Sequence, residues 1–96
     1  MHVISKAALR RFWTVHPRSR GPLTEWYKAA LKAKWESFAG VKATHPSADW
    51  VNPLVVFDIG GNKYRLVAAV HFNRGKVFVR NVLTHADYTR GDWKTE

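Results

Sequence analysis

Cysteine is absent from the 96 residues, so the chain has neither a disulfide framework nor a thiolate metal site. Five histidines, at 2, 16, 45, 71 and 85, are scattered with no two at i, i+3 or i, i+4 spacing, which gives a metal centre no support in the sequence. No metal and no cofactor is expected. Long apolar runs are missing too, and every hydrophobic stretch falls far short of the ~20 residues a membrane span needs. The N-terminal MHVISKAALRRFW has no long hydrophobic region and no cleavage signal, so a cytoplasmic protein without membrane association is expected. No GxSxG elbow, catalytic cysteine or GxxxxGK[ST] loop occurs, which leaves acyl transfer and phosphate cradling without their signatures. There is no internal repeat, low-complexity segment or linker. Acidic residues are scarce: seven Asp and Glu face sixteen Lys and Arg, for a net charge of +9.

What is present is an apolar, aromatic and basic chain. A hydrophobic fraction of 46%, with five tryptophans, belongs to a folded protein. At this length residues 1–96 form one domain with a narrow stability margin, since such chains bury only roughly 60–65% of their unfolded surface. The positive field favours a polyanion: nucleic acid, an acidic protein or an anionic surface. The plainer alternative is that the basic side chains serve solubility alone.

Hydrophobic periodicity divides the chain in two. Val3 and Ile4 suit a first strand added to a later sheet. Ser5 is placed to cap a helix over residues 6–15, with Leu9, Phe12 and Trp13 at helical spacing. After HPRSRGP, the stretch LTEWYKAALKAKWESF predicts a basic amphipathic helix stopped at Gly40. HPSADWVNP reads as a polar loop. From Leu54 the period becomes two, and residues 54–59, 63–72 and 76–83 read as three strands joined by GGN and NRG turns, an antiparallel meander. The order is β-α-α-β-β-β: an α+β fold with two helices packed on one face of a small antiparallel sheet.

Alternation along the middle strand puts Tyr64, Leu66, Ala68, Val70 and Phe72 toward the helices, and Arg65, Val67, Ala69 and His71 on the other face. If Ala69 pairs with Arg80, Arg65 and Arg80 share that face; a slip of one residue reverses this. Lys63, Arg65, His71, Arg80, Thr84, His85 and Tyr88 then form a basic, hydrogen-bonding set suited to RNA cleavage. In such a reaction a 2′-hydroxyl loses a proton as it attacks phosphorus, and the leaving 5′-oxygen gains one. His85 or Tyr88 serves either proton role, and Arg65 and Arg80 stabilise the charge. Tyrosine would need its pKa lowered by neighbouring arginines. Each residue also has an ordinary reading, as a solvated strand arginine or a histidine packed beside aromatics. Trp13, Trp26 and Trp35 read as packing residues; Trp50 and Trp93, in polar surroundings, read as exposed contact residues.

The blocks GGNKYRL and VRNVLTHADY, in this order and separated by a short hairpin, resemble the HigB-type toxins of type II toxin–antitoxin modules, within the RelE-like group. The similarity extends through MHVISKAALRRFW, HPSAD and FDIGGNKYRLVAAVHF. The resemblance implies a RelE-like fold, endoribonuclease activity on mRNA, often ribosome-bound, and a HigA-type helix-turn-helix antitoxin as partner. It implies catalytic roles for Arg65, Arg80, His85 and Tyr88, with Lys63, His71, Arg74 and Lys76 as lesser RNA contacts. One departure stands out: the group commonly has an acidic residue directly after the tyrosine, whereas Tyr88 is followed by Thr89 and Arg90. The competing expectations are a noncatalytic RNA- or ribosome-binding module and a subunit whose basic surface serves only an acidic partner.

Overall fold

The computed structural model describes residues 1–95 and the side chains through residue 93. Strand β1 (His2–Ile4) leads into α1 (Lys6–Val15), a 3₁₀ turn at Pro17–Ser19 and α2 (Arg20–Lys32). Then come α3 (Phe38–Thr44), β2 (Asp49–Val51), β3 (Leu54–Ile59), β4 (Tyr64–His71), β5 (Lys76–Thr84), α4 (His85–Arg90) and a 3₁₀ turn at Asp92–Thr95. The α+β architecture and the β3–β4–β5 meander match the reading of the sequence. Five strands lie in the order β1-β5-β4-β3-β2, and β1 pairs parallel with β5 on the outer edge, which makes the sheet mixed.

Three local expectations are corrected. Ser5 precedes α1 but does not cap it through its side chain; it takes a left-handed backbone (φ 79°), and its carbonyl accepts from Ala8 N–H at 3.0 Å. The basic helix ends at Lys32, not Gly40. Ala33 is extended, and the turn delivers Trp35 onto Phe57, with ring centroids 5.9 Å apart and nearly parallel. Burial of that indole overrides the helical propensity of Lys34 and Glu36. Gly40 lies within α3, a helix the sequence did not suggest. The HPSADWVNP segment holds β2, which pairs with β3 through Asp49↔Val56 and Val51↔Leu54.

The main core lies between the helices and one sheet face. Leu9, Leu23, Trp26, Ala30 and Val41 pack there on Val55, Phe57, Leu66, Ala68 and Val77. The opposite face is not bare. Val56 and Val67 are covered by Trp93, with Val51, Leu54, Leu83 and Tyr88 around them. The tail after β5 folds back across this face and makes a second small core.

Candidate active site

The β3–β4 hairpin sets up the site. Gly60 and Gly61 both hold positive φ (63° and 71°), a conformation side chains disfavour, and so close the turn tightly. The pairing Asp58↔Arg65 follows, and it places the carboxylate beside the guanidinium on the face opposite the helices. Arg65 is 8% exposed. Its Nε lies 3.1 Å from Asp58 Oδ1, Nη1 donates to the Tyr64 carbonyl at 3.1 Å, and Nη2 donates to Asn62 Oδ1. Its Cζ also lies 5.4 Å from the centre of the Tyr88 ring. A buried cation so engaged is fixed in place and holds the aromatic ring above it. The sequence reading gave Arg65 the task of stabilising charge on phosphate; in the structure its guanidinium is nearly buried and engaged by its own hairpin.

Tyr88 comes from α4. Thr84 caps this short helix, its Oγ1 accepting from Asp87 N–H at 3.2 Å, and Gly91 ends it in a left-handed conformation. Trp93 stacks on Tyr88 with centroids 5.1 Å apart and planes 13° from parallel, and its Nε1–H donates to the Tyr88 carbonyl at 3.0 Å. The phenol is thus set among Arg65, Trp93 and the sheet. Burial raises its pKa above the usual 10, the Asp49 carboxylate adds to the rise, Arg65 opposes it, and Asp58 raises it further. Arg65 lowers it as expected, but burial and two carboxylates outweigh the one cation. Trp93, expected to be exposed, is 5% exposed; Trp50, at 47%, is exposed as expected.

The pairing Tyr64↔Thr84 brings the start of α4 beside the hairpin, and His85 N–H donates to the Lys63 carbonyl at 3.0 Å. Both residues are exposed, so Lys63, Arg65, His85 and Tyr88 gather at one end of the sheet. Arg80 is placed differently. Ala69 pairs with Phe78, and between Ala68↔Val79 and Val67↔Asn81 the register shifts by one. Arg80 is the extra residue of this β-bulge, a feature that re-aims a side chain. It is exposed and borders clefts toward both Trp93 and α1. His71, Arg74 and Lys76 lie at the other end of β4 and β5, away from Tyr88; His71 packs edge-on against Phe78 at 5.0 Å.

Sequence reasoning missed Asp58, Asn62 and Asp49. Asp58 carried a signal: a carboxylate in the otherwise apolar LVVFDI strand, two residues before a double glycine. On the helix side, Lys6, Arg10, Arg20 and Lys28 surround Trp13 and Tyr27 in a basic cleft, with Lys6 4.8 Å from the Tyr27 ring centre.

Fold and site together define a small RelE-like α+β protein. Residues 19–91 match HigB_toxin, described as the RelE-like toxic component of a toxin-antitoxin system. The chain belongs to this family. It is 32% identical over 91 residues to the mRNA interferase toxin HigB of Escherichia coli (strain K12), covering 92% of this chain and 88% of the relative. The mRNA interferase HigB of Shigella flexneri matches equally over the same lengths. The mRNA interferase HigB of Escherichia coli O6:H1 is 27% identical over 93 residues, covering 94% and 90%.

Proposed function

We propose that this chain is the mRNA-cleaving toxin of a toxin–antitoxin pair and that it cuts RNA by 2′-hydroxyl attack without a metal. The observation that carries the reading is the gathering of Arg65, Tyr88, His85 and Lys63 at one sheet end in a chain of this family. His85, exposed beside Lys63, takes the 2′-hydroxyl proton as that oxygen attacks phosphorus. The P–O5′ bond breaks, and the 5′-oxygen leaves with a proton while a 2′,3′-cyclic phosphate remains. Tyr88, held in its neutral form by burial, suits hydrogen-bond or proton donation. Arg65 holds Tyr88 and adds positive potential, while Lys63 and Arg80 meet the phosphates.

The ribosome is the platform in this reading, and the basic cleft around Trp13 and Tyr27 offers a phosphate-binding surface on the helix side. An antitoxin of the HigA helix-turn-helix type is the expected partner, and the cytoplasm the expected compartment; no helix among the described residues is long and apolar enough to cross a membrane. The test is to add purified chain, freed of antitoxin, to translating ribosomes and map the message ends. New 2′,3′-cyclic phosphate ends support the reading; intact message, or cuts ending in 3′-hydroxyls, overturns it.

A further inference from the structure

The cleft beside Trp93 has the makings of a base-reading site. It holds about 280 Å³ and is walled by Asn52, Pro53, Leu54, Arg80, Asn81 and Trp93, near the lower end of the roughly 300–1,000 Å³ of ligand pockets. Asn52 comes from the β2–β3 turn, and Arg80 and Asn81 from the bulge in β5. None of these three polar side chains is held by a hydrogen bond or ion pair among the described residues. The apolar wall they flank is firm, because Trp93 is buried on Val56 and Val67.

We infer that this cleft receives one nucleobase of the RNA next to the cleaved linkage, an inference that rests on the ribonuclease reading above. Three features point to a base. A carboxamide offers a donor and an acceptor together, the pattern that pairs with the edge of an unstacked base, and two carboxamides border this cleft. Arg80, projected by the bulge at the rim, suits the phosphate that accompanies that base. Trp93 forms the wall of this cleft and also stacks on Tyr88, so a base seated here lies one aromatic ring from the reacting end of the site. The division of labour follows: Asn52 and Asn81 discriminate among bases, and Arg80 binds every sequence alike.

The experiment maps cuts on a pool of messages in a translation reaction, using the wild type, Asn52→Ala, Asn81→Ala and Arg80→Gln, and scores nucleotide preference at each position around the cut. One position should show a preference of about 10-fold or more with the wild type, and Asn81→Ala or Asn52→Ala should flatten it toward equality. Arg80→Gln should lower cutting at all sites by a similar factor and leave the preference in place. A preference unchanged in both asparagine variants, with cutting intact, overturns the base site alone. Absence of any cut by the wild type overturns the ribonuclease reading, and this site with it.

Discussion

Arg65 owes its position to Asp58. The guanidinium is nearly buried and the carboxylate side chain is 27% exposed, so removing the acid leaves a cation in the sheet with only neutral acceptors. Asp58→Ala should cost about 1.5–3 kcal/mol in urea unfolding, the range for hydrogen bonds to charged groups, with an unchanged denaturant slope. A loss under about 0.5 kcal/mol, typical of a surface substitution, would contradict the role given to the pair. His45 makes a different statement. Its ring packs against Trp35 and Phe57, its Nε2 is buried with no hydrogen-bond partner among the described residues, and burial lowers its pKa below 6.5. Below about pH 6.5 the unfolded chain binds a proton that the folded ring resists, so stability falls as pH drops through that range. His45→Phe should therefore lose less stability than the wild type between pH 7 and pH 5, as compared by urea midpoints. Equal losses would show that the ring is not protected.

Among the elements, α4 has the heaviest demand for its size, since six residues carry both His85 and Tyr88. Its start rests on Thr84, and Thr84→Ala should cost about 1 kcal/mol. Under the proposed reaction it should also lower cleavage more than it lowers RNA affinity, because the frayed turn holds the chemical groups and not the basic field. Full activity at full stability would show that the cap is unneeded. The three meander strands were legible at close to residue accuracy, because a half-buried sheet writes a period of two into Leu54–Ile59 and Tyr64–His71, whereas β2 was read as loop. The break after Lys32 was not legible: its cause is the distant Phe57, and a helical pattern carries no mark of where a tryptophan will be needed. The bulge was hidden for a related reason, since pairing register depends on both strands at once. The burial of Trp93 depended on an apolar patch left open by Val56 and Val67, which sequence neighbours such as Lys94 do not suggest.

For the molecule as a whole, the charge of +9 sets how it meets RNA. Release of counterions makes the affinity fall with salt, and three phosphate contacts on a single strand would lower it about 20-fold between 50 and 200 mM. A titration of labelled RNA against salt should show at least this slope, whereas a flat response would favour a surface made for an acidic protein. Composition pointed toward a polyanion, and the spacing of GGNKYRL and VRNVLTHADY indicated the family. Neither disclosed that Arg65 is committed to its own hairpin: the lone carboxylate of LVVFDI was a signal, but its partner follows from the hairpin register that pairs Asp58 with Arg65. The claim at the centre of the account is that bond cleavage occurs where Tyr88 and His85 stand. The most direct measurement compares cleavage rate and RNA affinity for the wild type, Tyr88→Phe and His85→Gln, substitutions that keep size and leave the basic field in place. The account predicts cleavage reduced about 100-fold or more in each variant, with affinity within a few-fold of the wild type. Cleavage at the wild-type rate in both variants would contradict it.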